Sequence, residues 1–452
     1  MIRIYPDEAI NQDELFSSSA LSDKHKKKGP IGRFLRILGP GIITGAADDD
    51  PSGIASYSQA GAQFGFMTLW VMLLCFPLMT AVQEACMRIG AVTGKGLAAV
   101  IRENNGKKLL YPVVLLVVLA NTLNIGSDIG AMAASTQLLV PLSYPLLAVI
   151  FSMIMLVLEI FVSYKSYVKV LKWLAIALLA YPVTAFIINV DWINAIKQTF
   201  IPQISMSKDF IYILVAILGT TISPYLFFWQ TSEVVEEEIA ARRLTILGLR
   251  PPKISKRYLK NLRLDNVLGM AFSSITAWFI IIVAAVTLNK NGITTINSAA
   301  DAARALEPLV HGFPNAGYAA KVIFSVGVIG IGLLSVPVLA GSSSYAITEA
   351  FGWKEGLYRK FKQARAFYVV IIAGTLAGLC FNFLGINPIS ALIFTAVFNG
   401  IAAVPLIFML IKISTSEKIL GDFRGRFLSK LGLWSAWGLM TTAACALFVS
   451  FL

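Results

Sequence analysis

Apolar runs of roughly 20 residues, long enough to cross a bilayer as helices, follow one another along the chain with short polar connectors between them. Eleven are legible, near 37–66, 67–92, 109–139, 146–164, 167–190, 210–238, 264–289, 318–346, 366–385, 389–412 and 432–452. They predict an all-α polytopic membrane protein with 11 transmembrane helices. Two runs are interrupted. In the first, the uncharged stretches 37–47 and 54–66 flank Asp48, Asp49, Asp50, Pro51, Ser52 and Gly53. In the sixth, the apolar run 211–229 contains Gly219-Thr220-Thr221-Ile222-Ser223-Pro224.

A lone carboxylate at bilayer depth costs at least ~2.5 kcal/mol, so an acidic run there implies a water-filled path or a bound cation. Pro51 lacks an N–H and Gly53 relaxes the backbone, which lets the helix open and leaves carbonyl oxygens free beside Asp50. Taken alone, Asp-Pro-Ser-Gly is ordinary turn chemistry. The second break changes the reading, because paired Gly/Pro-interrupted spans in corresponding halves point to a transporter's midplane site. Residues 37–190 and 210–412 lay out as two five-helix repeats, each opening with its broken helix; five is odd, so the second is inverted. The halves share no obvious sequence identity, and the repeat rests on topology and matched breaks. Residues 432–452 form an additional helix, and 1–36 a basic N-terminal segment.

At 57% apolar and 14% charged residues, the chain shows no separate soluble domain. With a cytoplasmic N-terminus, all but Lys197, Lys208, Lys290, Arg304 and Lys321 of the 38 Lys and Arg lie on the inner side. The positive-inside rule then predicts a multi-pass protein of the cell membrane, N-terminus in and C-terminus out. The bias also accounts for the +13 net charge through the anionic inner leaflet, without nucleic acid. Residues 1–36 lack the features of a cleaved signal peptide, so retention of the whole chain is expected. Cys75, Cys86, Cys380 and Cys445 lie in predicted spans without Cys-x-x-Cys spacing and read as small apolar residues. His25 and His311 lie outside the spans, which excludes a histidine relay or zinc cluster inside the membrane. No nucleophile–base pair or phosphate loop points to an enzyme. The partners implied are the lipid bilayer and a transported ion, with no cofactor and no obligatory protein partner.

The motif Gly39-Pro40-Gly41 … Asp50-Pro51-Ser52-Gly53-Ile54-Ala55-Ser56 … Gln59-Ala60-Gly61-Ala62 resembles the natural resistance-associated macrophage protein (NRAMP) family of divalent-metal transporters. Gly90-Ala91-Val92-Thr93-Gly94-Lys95-Gly96, Ser127-Asp128-Ile129, Gly341-Ser342-Ser343-Ser344 and Glu349-Ala350-Phe351 are similar to later family segments. The resemblance implies a five-plus-five broken-helix fold like that of amino-acid symporters. It also shows departures. Gly53 stands where the family has a metal-binding Asn. Thr220, Ser223, Pro224 and Tyr225 replace an alanine, a methionine and Pro-His, Gln230 replaces a second histidine, and Ala131 replaces a glutamate. The soft ligand and the proton-relay side chains are thus missing, as in the family's NRAMP-related magnesium transporters.

A thioether selects softer ions, and its loss leaves oxygen ligands suited to Mg²⁺, Ca²⁺ or Mn²⁺. The expected metal set is the Asp50 carboxylate, carbonyls near Gly53 and Thr220, hydroxyls of Ser52, Thr221 and Ser223, and Asp49 as the next carboxylate. Replacing Asn and Met by Gly and Ser leaves more room, which suits Mg²⁺ that keeps its water. With about 100° per residue, Asp48 and Asp49 point away from Asp50, and Asp48 ranks with the pathway. Asn121, Asn124 and Asp128 share one helix face and are expected to line that path or to serve interhelical contact. Tyr225, Gln230 and Asn399 complete the candidate pathway. Glu84 and Glu159 are expected to pair with basic loops. These readings converge on uptake of Mg²⁺, with Mn²⁺ as a second substrate, by alternating access without strong proton coupling. A proton-coupled Mn²⁺/Fe²⁺ symporter and a sodium-coupled organic-solute symporter are the alternatives, the latter opposed by an acidic break that would repel a substrate carboxylate.

Overall fold

The computed structural model describes residues 45, 49–162, 175–240, 254–311 and 315–451. Asp48, most of the upstream half of the first broken span and the segment 1–36 lie outside these. Helix α1 (Pro51–Phe64) begins because Asp50 stands extended at its N-cap and Pro51 fills the first turn, where no N–H is needed. A short 3₁₀ turn leads from it into α2 (Leu69–Thr93). There follow α3 (Leu97–Asn105), α4 (Lys107–Gln137), α5 (Tyr144–Phe161), α6 (Ala180–Ile187) and α7 (Trp192–Phe200). The sixth predicted span is two helices, α8 (Lys208–Thr221) and α9 (Pro224–Ala240), separated at Ile222-Ser223. Next come α10 (Lys256–Thr287), α11 (Ala299–Arg304), α12 (Ala316–Phe351), α13 (Arg365–Phe381), α14 (Pro388–Thr415), α15 (Glu417–Leu420) and α16 (Phe427–Ser450).

Eight helical stretches among the described residues are long and apolar enough to cross a membrane, or nine if the bent pair around 177–200 counts as one. This is fewer than the 11 predicted. α1 and α2 run on as one 43-residue stretch, α13 has only 17 residues, and the fifth span turns through 118° into α7. The Ala-rich segment after α10 forms α11, capped by Ser298. Leu115, Met153, Phe186 and Phe448 are exposed on the outside of the bundle, as side chains facing lipid would be.

The interior is one large apolar cluster centred on α1, α2, α8, α10 and α14, and a second built from α4, α5, α9, α12 and α13. Helices approach closely at glycines: a Cβ on Gly219 of α8 would collide with the backbone of Ala396 and Gly400 on α14. That contact brings the broken span against α14. At one end of the bundle, Glu84 of α2 pairs with Arg88 (3.0 Å) and Arg263 (2.7 Å), while Arg88 donates to Ser414 and Ser429. Glu84 therefore does pair with basic positions. Glu159 has no ion pair among the described residues; its carboxylate is buried on α5.

Candidate metal centre

Two helix ends meet at the centre of the bundle, the start of α1 and the break between α8 and α9. Asp50 is fully buried. Its Oδ1 accepts from the Gly53 N–H at 2.9 Å and from Ser52 Oγ at 2.5 Å. Thr220 Oγ1, across the break, approaches Ser52 Oγ at 3.2 Å and donates to Asp50 Oδ1 at 3.4 Å. Asn124 Nδ2, on α4, reaches Asp50 Oδ2 at 3.4 Å. Asp50, Ser52, Gly53, Thr220 and Asn124 are thus brought together from three elements. The donor set on offer is oxygen, a carboxylate with two hydroxyls, which suits hard divalent cations.

The other predicted ligands are placed differently. Ser223 Oγ turns back onto its own chain, donating to Thr220 O at 2.7 Å and Gly219 O at 2.9 Å, so the Thr220 carbonyl already has a partner. Thr221 Oγ1 donates to Ile217 O at 2.6 Å and meets the Tyr57 hydroxyl at 3.2 Å. Back-bonding of this kind is what short hydroxyl side chains do at helix ends. Asp49, also buried, accepts from Ser273 of α10 at 3.0 Å. Asp48 lies outside the described residues. The room expected beside Gly53 is occupied: a Cβ there would stand 3.2 Å from Thr220 Oγ1 and 3.2 Å from the Tyr57 ring.

Among the pathway residues, Asp128 accepts from Ser335 of α12 at 2.8 Å, and Asn121 donates to Leu339 O and Ser343 of the same helix. The polar face of α4 therefore serves interhelical contact at both ends and the candidate site in the middle. Asn399 is fully buried on α14. Tyr225 sits in the second apolar cluster, its carbonyl accepting from Ser342; Gln230 lies farther along α9. Sequence reasoning missed Tyr57, Ser273 and Ser335, which hold the acidic and hydroxyl groups in place and carry no signal beyond being polar in apolar runs. It also missed an apolar cavity beside the start of α1, lined by Pro51, Ala55, Ala131, Ile296, Ala302 and Phe324 among others. Ala131 opens onto that cavity where the resemblance implies a glutamate.

The family model described as natural resistance-associated macrophage protein-like matches residues 41–450. The divalent metal cation transporter MntH of Caldanaerobacter subterraneus is 26% identical over 415 residues, 89% of this chain and 90% of the relative. MntH of Bacillus subtilis is 25% identical over 397 residues, 86% of each. The solved manganese transporter of Eremococcus coleocola superposes with a TM-score of 0.70 at 14% identity, covering 95% of this chain and 90% of that one. MHP1, a nucleobase-cation-symport-1 family transporter, gives 0.53 at 14% identity, covering 91% and 92%. The last two likenesses establish the fold, that of broken-helix membrane transporters. With a family match spanning nearly its whole length, the chain belongs to the natural resistance-associated macrophage protein family of divalent-metal transporters.

Proposed function

We propose that this transporter takes up Mg²⁺, largely hydrated and with Mn²⁺ as a second substrate, by alternating access without strong proton coupling. The observation that carries the reading is the oxygen-only set around Asp50, in which the Ser52 and Thr220 hydroxyls meet the carboxylate and no thioether takes part. The relatives are named as divalent metal and manganese transporters, which supports a divalent cation as cargo. Mg²⁺ surrenders water reluctantly and is held through one or two carboxylates with several waters retained. One buried carboxylate with hydroxyl neighbours meets that demand. No proton need move for uptake: a divalent cation entering down 100 mV, inside negative, gains roughly 4.6 kcal/mol. In this reading the N-terminus is cytoplasmic, and the face holding Glu84, Arg88 and Arg263 is the inner one.

One observation favours a second reading. Asp128 is fully buried and belongs to the same α4 face as Asn124, so it is placed to carry a proton in a coupled Mn²⁺/Fe²⁺ symporter. Uptake into proteoliposomes separates the two. Saturable Mg²⁺ entry that is lost in Asp50→Ala and leaves luminal pH unchanged is the expected result; Mn²⁺ entry that excludes Mg²⁺ and acidifies the lumen would establish the coupled symporter instead.

A further inference from the structure

Three side chains around the centre hold acceptor oxygens that no described residue uses. Asn124 Oδ1, Asp128 Oδ1 and the Asn399 side chain have no hydrogen-bond partner among the described residues, and all three residues are fully buried. For Asn124 and Asp128 the other side-chain atom is engaged, whereas both Oδ1 and Nδ2 of Asn399 are without a partner among the described residues. Asn124 Nδ2 faces Asp50 Oδ2, which sets the sense of its amide, and Asp128 Oδ2 accepts from Ser335. Asn399 is placed by register: Ser127 of α4 meets Thr395 of α14 at 3.2 Å. The two helices run antiparallel, so one turn along each from that contact brings Asn399 level with Asn124. Gly219, beside the α8–α9 break, contacts the backbone on either side of Asn399, at Ala396 and Gly400.

Buried acceptors without donors are costly and need a partner that brings protons. A bare cation brings none. It also cannot reach them together, because two ligands of one Mg²⁺ lie within about 4 Å of each other, whereas residues one turn apart on α4 are about 6 Å apart along its axis. Water bound to a divalent cation turns its protons outward and extends the reach of the ion by about 2.8 Å, one O–H···O hydrogen bond. We propose that Asn124 Oδ1, Asp128 Oδ1 and the Asn399 side chain form an acceptor collar that recognises the water shell of the divalent cation held at Asp50. The inference rests on the reading of Asp50 as the ion's carboxylate and assigns the residues that distinguish a hydrated cargo from a stripped one.

Cobalt(III) hexaammine tests the collar, since its six ammonia ligands do not exchange and present only N–H donors. It is added as a competitor of Mg²⁺ and of Mn²⁺ uptake in proteoliposomes carrying wild type, Asn124→Ala, Asn399→Ala or Asn124→Asp, each first shown monodisperse in detergent. The expected result is competitive inhibition of wild type, weakened about tenfold in each alanine variant, as loss of one charge-assisted hydrogen bond predicts, and retained in Asn124→Asp, which keeps its acceptor oxygens. Inhibition equal in wild type and both alanine variants overturns the collar. So does a wild type that carries Mg²⁺ but ignores the hexaammine, and that outcome leaves the Mg²⁺ reading standing. Absence of any Mg²⁺ entry in wild type removes the reading beneath it.

Discussion

Gly53 and Thr220 face each other across the central break, and their sizes are coupled. The resemblance implies Asn and Ala at these two positions, whereas this chain has the smallest side chain on α1 and the larger one on α8, with 3.2 Å between a would-be Cβ at Gly53 and Thr220 Oγ1. Gly53→Asn alone therefore forces atoms into an occupied space and is expected to cost about 1–3 kcal/mol of stability. Adding Thr220→Ala vacates the hydroxyl and should recover most of that loss. A double-mutant cycle read from thermal unfolding in detergent checks it; additive effects would show that the two sites do not sense each other. At this scale the sequence disclosed Asp50, because a carboxylate in an apolar run demands a reason, and it disclosed the Asn121, Asn124 and Asp128 face through spacing. It did not disclose which hydroxyls look inward. Thr221 and Ser223 spend theirs on carbonyls of their own helix, a choice made by backbone geometry at the break that composition does not encode. Nor did it reveal that Asp49 would turn to α10, which depends on Ser273 arriving from 224 residues away.

Several helix starts are set by a cap adjacent in sequence. Asp50 before Pro51, Ser207 before α8 and Asn387 before Pro388 all accept from the N–H groups their positions imply. The start of α3 has no such local signal. Its N–H groups at Ala98 and Ala99 are capped by Glu349 of α12, at 2.8 and 3.2 Å. Ser232 of α9 donates to the same carboxylate at 3.0 Å, and Arg102 donates to the Glu349 carbonyl at 2.5 Å. One side chain thus ties α3, α9 and α12 together, and a Cβ at Gly96 would push its carboxylate aside. The adjoining connector after α12 carries a second, half-buried acid, Glu355, which accepts from Thr348 at 3.0 Å. Burial first, and then the Glu349 charge, hold its carboxyl well above its ordinary 4.5, with Glu236 adding to the rise and Thr348 and Arg102 opposing it. A raised carboxyl binds its proton more tightly in the folded connector, so the stabilisation is fully present below 4.5 and is lost as pH rises toward the elevated value. Hydrogen-exchange protection factors for 352–364, corrected for intrinsic rates, should fall from pH 5 to pH 8 in wild type and stay level in Glu355→Gln. A fall that persists in the variant would assign the effect to another group.

The whole molecule has two dissimilar ends. One gathers Glu84 with Arg88 and Arg263, and the Arg102–Glu349 contact; the other joins Gln59 to Thr294 and Ile296, Asn289 to Ala62 and Asn387 to Asn297, with the Asp301–Arg304 pair within α11. The distribution of Lys and Arg predicts an asymmetry of this kind, because charge placement is a property of composition along the chain. The sequence predicts the number of helices less well, because spans can bend, as the 118° turn into α7 does, and apolarity alone does not record a bend. Between the two ends lies a centre with a carboxylate but, among the described residues, no cluster of His, Cys, Asp and Glu able to hold an ion by itself. Under the proposal of hydrated, uncoupled uptake, such a centre holds the cation briefly and the driving force comes from the membrane. Each ion carries two charges, so 100 mV supplies roughly 4.6 kcal/mol, a gradient of about three powers of ten at 1.4 kcal/mol each. In proteoliposomes clamped with a potassium diffusion potential, inside negative, Mg²⁺ uptake should rise steeply with voltage, reverse when the potential is reversed, and be indifferent to a pH gradient of either sign. Uptake that follows the pH gradient at zero voltage would show a proton travelling with the metal, and Asp128, buried on the same face as Asn124, would then be the first side chain to replace.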